Sequence, residues 1–173
     1  MDVTLILLRI IHIFAGMFWV GAALIGTFFL MPAARSSGPE GQKFIQTLMV
    51  RLRFPIAISI AAILAILSGF LLYARSSGGF QPSWITSAVG LGFTTGALAA
   101  IASFLFGALV LGPTGRKFGA VSAALHTQGT PPTPEQQSEM AKLNARLSTG
   151  GLINTVLLAI ALLAMATARY WSF

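Results

Sequence analysis

A chain of 173 residues that is 55% hydrophobic and only 9% charged carries far more apolar surface than one small soluble core hides, so composition points to an integral membrane protein. It has no cysteine, which excludes disulfides, thiolate metal ligands and cysteine nucleophiles together. The net charge of +7 would suit a nucleic-acid binder if the protein were soluble. Here the basic residues stand beside apolar runs, where anionic lipid head groups account for them. The expected partner is the lipid bilayer, with no nucleic acid.

Four segments approach or exceed the roughly 20 apolar residues a helix needs to cross a bilayer: Leu5 to Leu30, Phe54 to Tyr73, Trp84 to Leu111, and Leu152 to Tyr170. The expected fold is all-α: an integral membrane four-helix bundle with amphipathic helices in its cytoplasmic loops, one transmembrane domain over 1–173. The first segment reads as a retained helix rather than a cleaved signal, because Asp2 replaces a basic n-region and the apolar run is too long.

That first span holds Arg9 and His12. Ionisable groups are costly within a membrane, so each is a candidate functional residue with a partner to find. On a helix His12 shares a face with Gly16, Trp19, Ala23 and Gly26, and Arg9 lies one turn toward the outer surface. A haem b needs an axial nitrogen, a small residue that lets the macrocycle approach the backbone, and a cation near the surface for its propionates. His12, Gly16 and Arg9 supply those three types in that order. The alternative is that His12 bonds a neighbouring helix and Arg9 snorkels to the interface.

The loop that follows carries Arg35, Lys43, Arg51 and Arg53. Ser37 and Glu40 stand at capping-box spacing, and Phe44, Ile45, Leu48, Met49 and Leu52 repeat on one face, which predicts an interfacial helix feeding the second span. Pro55 suits the first turn of that span. The third span carries Gly92, Gly96, Ala100, Ser103 and Gly107 at steps of three and four, a stripe that lets helix backbones approach closely, within the chain or across a homodimer. Beyond it come Arg116, Lys117, Lys142 and Arg146. Thr133 and Gln136 repeat the cap pattern, and a second surface helix is expected to reach a hinge at Gly150-Gly151. The two halves share a plan of span, basic amphipathic loop and span, without a convincing residue-level repeat.

Since Lys and Arg concentrate in cytoplasmic loops, both long loops are expected inside and both termini outside the membrane. In the fourth span Met165 lies about 7 Å from the outer end, and His12 about 10 to 12 Å from that of its own span, at 1.5 Å per residue. Met165 is therefore a candidate second haem ligand. A copper site of His12 with Met17 or Met165 is the other metal reading, because thioethers favour Cu(I). His126 is expected to be a solvated residue. The acidic residues Asp2, Glu40, Glu135 and Glu139 all lie outside the spans, which excludes an intramembrane carboxylate relay.

The string Arg9-x-x-His12-x-x-x-Gly16-x-x-Trp19-x-Gly21, followed by Pro32, resembles the first helix of the CopD-like superfamily of bacterial four-helix membrane proteins. LSGFLLYARSSGGF and MATARYW also resemble its uncharacterised members. Haem-associated four-helix protoporphyrinogen oxidases are distantly similar in the same helix. The resemblance implies a bundle in which His12 binds haem or copper. Those oxidases are associated with an intramembrane lysine, whereas every lysine here stands in a long loop. The departure favours a pared-down member, such as an accessory subunit of a larger membrane complex. The sequence specifies no enzymatic reaction. Its leading functional reading is a haem-related redox or haem-handling role centred on His12. A cofactor-free structural subunit and copper transport are the alternatives.

Overall fold

Asp2 opens the first helix, α1 (Val3–Ile25), by accepting a hydrogen bond from the Leu5 N–H at 3.2 Å. In this computed structural model, which describes residues 2–172, α1 continues through a wide π-helical turn (Gly26–Leu30) into α2 (Met31–Ser36). The 34-residue rod Val3–Ser36 is about 50 Å long at 1.5 Å per residue, well beyond a hydrocarbon core of about 30 Å. Its last turns therefore project past the membrane.

The first long loop is a tight helical hairpin. Gly38 turns the chain at φ +56°, and α3 (Gly38–Gln46) runs back beside α2. The two approach so closely at buried Gly41 that any side chain there would enter the Ala34 carbonyl. The expected capping box at Ser37 and Glu40 does not form. Ser37 instead ends α2 by donating its hydroxyl to the Ala33 carbonyl, and Glu40 pairs with Lys43 at 2.9 Å. Of the expected apolar face, Ile45, Leu48 and Met49 are half-buried while Phe44 and Leu52 are exposed. A second π-turn (Thr47–Arg51) leads to α4 (Phe54–Ser76), with Pro55 in its first turn as expected.

The third span begins at Ala88 rather than at Trp84. Pro82 starts a separate one-turn helix, α5 (Pro82–Ile85), and the Ser87 hydroxyl caps α6 (Ala88–Phe106) by accepting from the Gly90 N–H at 3.1 Å. A third π-turn (Gly107–Leu111) carries α6 into α7 (Gly112–Gln128). The chain then turns into α8 (Pro134–Thr167), whose Thr133–Gln136 capping box forms both of its bonds. There is no hinge at Gly150-Gly151. Helix α8 runs straight through, because Gly150 is buried where a side chain would meet Leu111 and Phe106. The second loop is thus a helical extension of two spans, tied by Lys117 to Glu139 at 2.7 Å, rather than a pair of helices lying on the lipid. His126 falls in α7, but its side chain lies outside the described ones.

Four helices are long and apolar enough to cross a membrane, as the sequence predicts. They pack as two intimate antiparallel pairs, α1 with α4 and α6 with α8, joined by thinner seams α1/α8 and α4/α6. The pairs meet in a core of Trp19, Ala61, Ala62, Ala65 and Leu158, with Ala100 and Phe104 against it. The pattern of helix contacts repeats around this ring, with α1 corresponding to α6 and α4 to α8. Matching helices also share a motif, Gly26-x-x-x-Leu30-x-Pro32 and Gly107-x-x-x-Leu111-x-Pro113. Each proline lacks an N–H and crowds the carbonyl four residues back, so the preceding residue bonds five residues back instead: Met31 to Gly26, Gly112 to Gly107.

Side-chain hydrogen bonds close each seam. At the basic end Thr27 and Thr155 join hydroxyls at 3.0 Å across α1/α8, and at the end carrying the chain termini Tyr73 meets Thr94 at 2.6 Å across α4/α6. Thr155 is buried. Thr155→Val should therefore lower thermal stability in detergent by about 0.5–1.5 kcal/mol, the range of a membrane interhelical hydrogen bond. A melting curve unchanged from wild type would show that the seam does not depend on this bond.

Candidate functional site: His12 in the α1/α4 seam

His12 lies on the stripe of α1 that also presents buried Trp19, two turns further into the bundle. Its Nδ1 stands 2.8 Å from the Ala65 carbonyl of α4. A carbonyl only accepts, so Nδ1 carries a proton, and in the neutral tautomer this leaves the lone pair on Nε2. Histidines that ligate metals are commonly oriented in this way, with the non-ligating nitrogen donating to a carbonyl or carboxylate.

The approach depends on a residue that sequence reading passed over. A Cβ on Gly69 would lie 2.8 Å from His12 Cε1 and 3.0 Å from Nδ1, so the Cε1–Nδ1 edge of the imidazole packs against bare backbone. Gly69 belongs to the LSGFLLYAR string of α4. A Ser-Gly pair inside an apolar span was the available signal. Ser68 is buried beside it and returns its hydroxyl to the Leu64 and Ala65 carbonyls.

Gly16, one turn along α1 from His12, is not packed against a neighbour: a Cβ there would meet no atom within 4 Å. Arg9, one turn the other way, is exposed, with no ion pair to it among the described residues. Asp2, the one acid at that end, pairs with Arg75. Arg9, His12 and Gly16 therefore share one side of α1 in the expected order.

Met165 is not brought to His12. The Thr27–Thr155 and Thr155–Ala23 contacts set an antiparallel register that brings His12 and Met165 to within about one turn of each other in depth. Met165 nevertheless packs over Gly96 in the α6/α8 pair, where a Cβ on Gly96 would be 2.6 Å from its Cγ. Met17 is exposed on the outside of α1. Among the described residues no three of His, Cys, Asp and Glu come together as a metal cluster.

The terminal end is otherwise aromatic. Tyr73 packs edge-on to Trp84 at 5.2 Å, Trp84 stacks on Phe93 at 6.2 Å, and Phe80, held at φ +66°, leans on Phe70 and Tyr73. At the opposite end, the Glu135 carboxyl is held below its usual range by its backbone N–H at the α8 terminus and by the Thr133 hydroxyl. Comparison with family models, with curated proteins and with solved structures gives no match.

Proposed function

We propose that this is a CopD-like inner-membrane protein with a haem-related redox or haem-handling role centred on His12. The carrying observation is the Nδ1–H to Ala65 bond, which orients the ring and makes Nε2 the nitrogen available to a ligand at membrane depth. The open space at Gly16 and the unpaired Arg9 fit the approach of a planar macrocycle and its propionates. A haem held there supplies one-electron chemistry at its iron, tuned by the axial donor and burial. With Met165 engaged on Gly96, the donor set of this chain favours a single protein ligand.

The protein purified gently from haem-replete cells should show a Soret band, and His12→Ala should abolish or strongly weaken it while the protein remains inserted. Met165→Leu should leave the spectrum nearly unchanged. A colourless wild-type protein would defeat the haem reading.

The second reading is a cofactor-free accessory subunit, which would pack against a membrane-protein partner or a second copy. It rests on the same hydrogen bond, since a lone imidazole donating to a neighbouring carbonyl is a complete interhelical clasp. Copper transport has less to draw on, since Met165 packs on Gly96 and Met17 is exposed on the outside of α1. Orientation follows the positive-inside rule, with Arg35, Lys43, Arg51, Arg53, Arg116, Lys117, Lys142 and Arg146 at one end of the bundle. Tags on both termini should be accessible from the periplasm of intact cells, and protection of both would reverse the orientation.

A further inference from the structure

The α1/α8 seam is closed at the basic end and open at the terminal end. On α8 the residues facing α1 are Gly151 and Thr155, which meet Thr27, and Leu158, which shares the buried core with Trp19. The same stripe continues by helical spacing to Leu162 and Ala166. Leu158 is 1% exposed but Leu162 is 51% exposed, and Ala166 is exposed too. On α1 the covered residues Ala23 and Trp19 give way in the same direction to Gly16, whose missing side chain would touch nothing. The helices therefore diverge into a wedge with Trp19 and Leu158 at its floor.

Two arginines stand at the mouth. With Thr27 beside Gly151 and Thr155, and the Ala23 carbonyl also at Thr155, the antiparallel register sets Arg9 near the level of Arg169, which sits in the short 3-10 turn (Ala168–Tyr170) that ends α8. Both are exposed, and neither has an ion pair among the described residues. Two cations at nearly one level above an apolar cleft match an amphiphile that buries a flat apolar body and leaves two anionic groups at the membrane surface.

We infer that the α1/α8 wedge is the entry and binding slot for a planar dicarboxylate of porphyrin type, and that Arg169 is a carboxylate-binding residue paired with Arg9. This rests on the haem reading for the identity of the ligand, but the clamp acts on the carboxylates and not on the iron. A guanidinium meeting a carboxylate forms a charge-assisted, bidentate pair. A cleft open between two helices also lets the ligand arrive sideways from the leaflet at the terminal end.

The test uses the full-length protein in phosphatidylcholine nanodiscs and three probes: haem, its dimethyl ester, and the metal-free porphyrin with both propionates. Arg169→Ala and Arg9→Ala should each weaken binding of the two free diacids by about tenfold or more, and leave the dimethyl ester unaffected. Arg75→Ala, which removes an arginine of the same end that is paired with Asp2, should change none of the three. His12→Ala should alter only the iron-containing probes. If the metal-free diacid binds with this arginine dependence while His12→Ala leaves the haem spectrum intact, iron ligation by His12 fails and the wedge stands. The wedge is overturned if Arg169→Ala affects diacid and ester alike or affects neither, or if no probe binds the wild type. Displacement of the diacid by an equal concentration of phosphatidylglycerol would likewise overturn it, identifying an anionic-lipid site instead.

Discussion

Gly96→Leu should lower the stability of the detergent-solubilised bundle by about 1–3 kcal/mol, the usual cost of overpacking, and clearly more than Leu98→Ala on the same helix. Both neighbours of Gly96 belong to α8: a first carbon there would lie 2.6 Å from Met165 Cγ and 3.1 Å from the Ala161 carbonyl oxygen. Leu98 is 62% exposed and leaves no hole in the bundle. The neighbours also rank the smaller substitutions. A Cβ on Gly92 would lie 2.7 Å from the Ala168 Cβ and 2.9 Å from its Cα, and neither atom moves without moving the helix. Met165 in contrast is a flexible side chain that can swing aside. Gly92→Ala should therefore destabilise more than Gly96→Ala, even though both replace the same residue by the same methyl group. Thermal melts of the four variants in one detergent check the order. Equal melting temperatures for Gly96→Leu and Leu98→Ala would show that α6 and α8 are not in tight contact.

The Gly92 and Gly96 stripe was legible in the sequence because close helix contact in a membrane leaves a compositional mark: small residues at steps of three and four. The spans were legible for a similar reason, since length and apolarity are imposed by the bilayer itself. What covers an amphipathic face leaves no such mark. Leu143 and Leu147 repeat as they would on a helix lying in lipid head groups, yet Leu143 is buried in α8 beside the basic extension of α6. Periodicity shows that one side of a helix is apolar, and both lipid and another helix satisfy it. The same limit hid the straight course of α8 through Gly150-Gly151, where two glycines signal flexibility in isolation and close packing in context.

The repeat was present in the sequence but lay in three positions out of seven. Gly26, Leu30 and Pro32 recur as Gly107, Leu111 and Pro113 with unlike residues between them, so only the shared wide turn before each proline exposes the correspondence. Its consequence concerns the site. Shifting by the interval between the two motifs carries His12 onto Phe93, which stacks on Trp84. One of two matching positions in the ring thus holds an imidazole against bare backbone, and the other is filled by packed aromatic rings. The asymmetry singles out the α1/α4 seam as the place where packing has been exchanged for a polar group.

Gly69→Ala should displace that group without unfolding the protein. Glycine within a helix is disfavoured relative to alanine by about 1 kcal/mol, so the substitution alone favours α4. Its Cβ, however, would lie 2.8 Å from His12 Cε1, and the ring can make room only by retreating from the Ala65 carbonyl. The two effects oppose each other in stability, and only the second acts on the imidazole. Ring-nitrogen NMR of the cofactor-free protein should show the Nδ1-protonated tautomer in the wild type and its loss in Gly69→Ala, with little change in melting temperature. Where haem is bound, the Soret band should fall as expected for His12→Ala. Gly21→Ala, placed on α1 where a Cβ meets nothing within 4 Å, should preserve both signals. A Gly69→Ala protein that keeps the wild-type tautomer and spectrum would mean that the orientation of His12 does not depend on the bare backbone of α4, and the argument for a preset Nε2 would go with it.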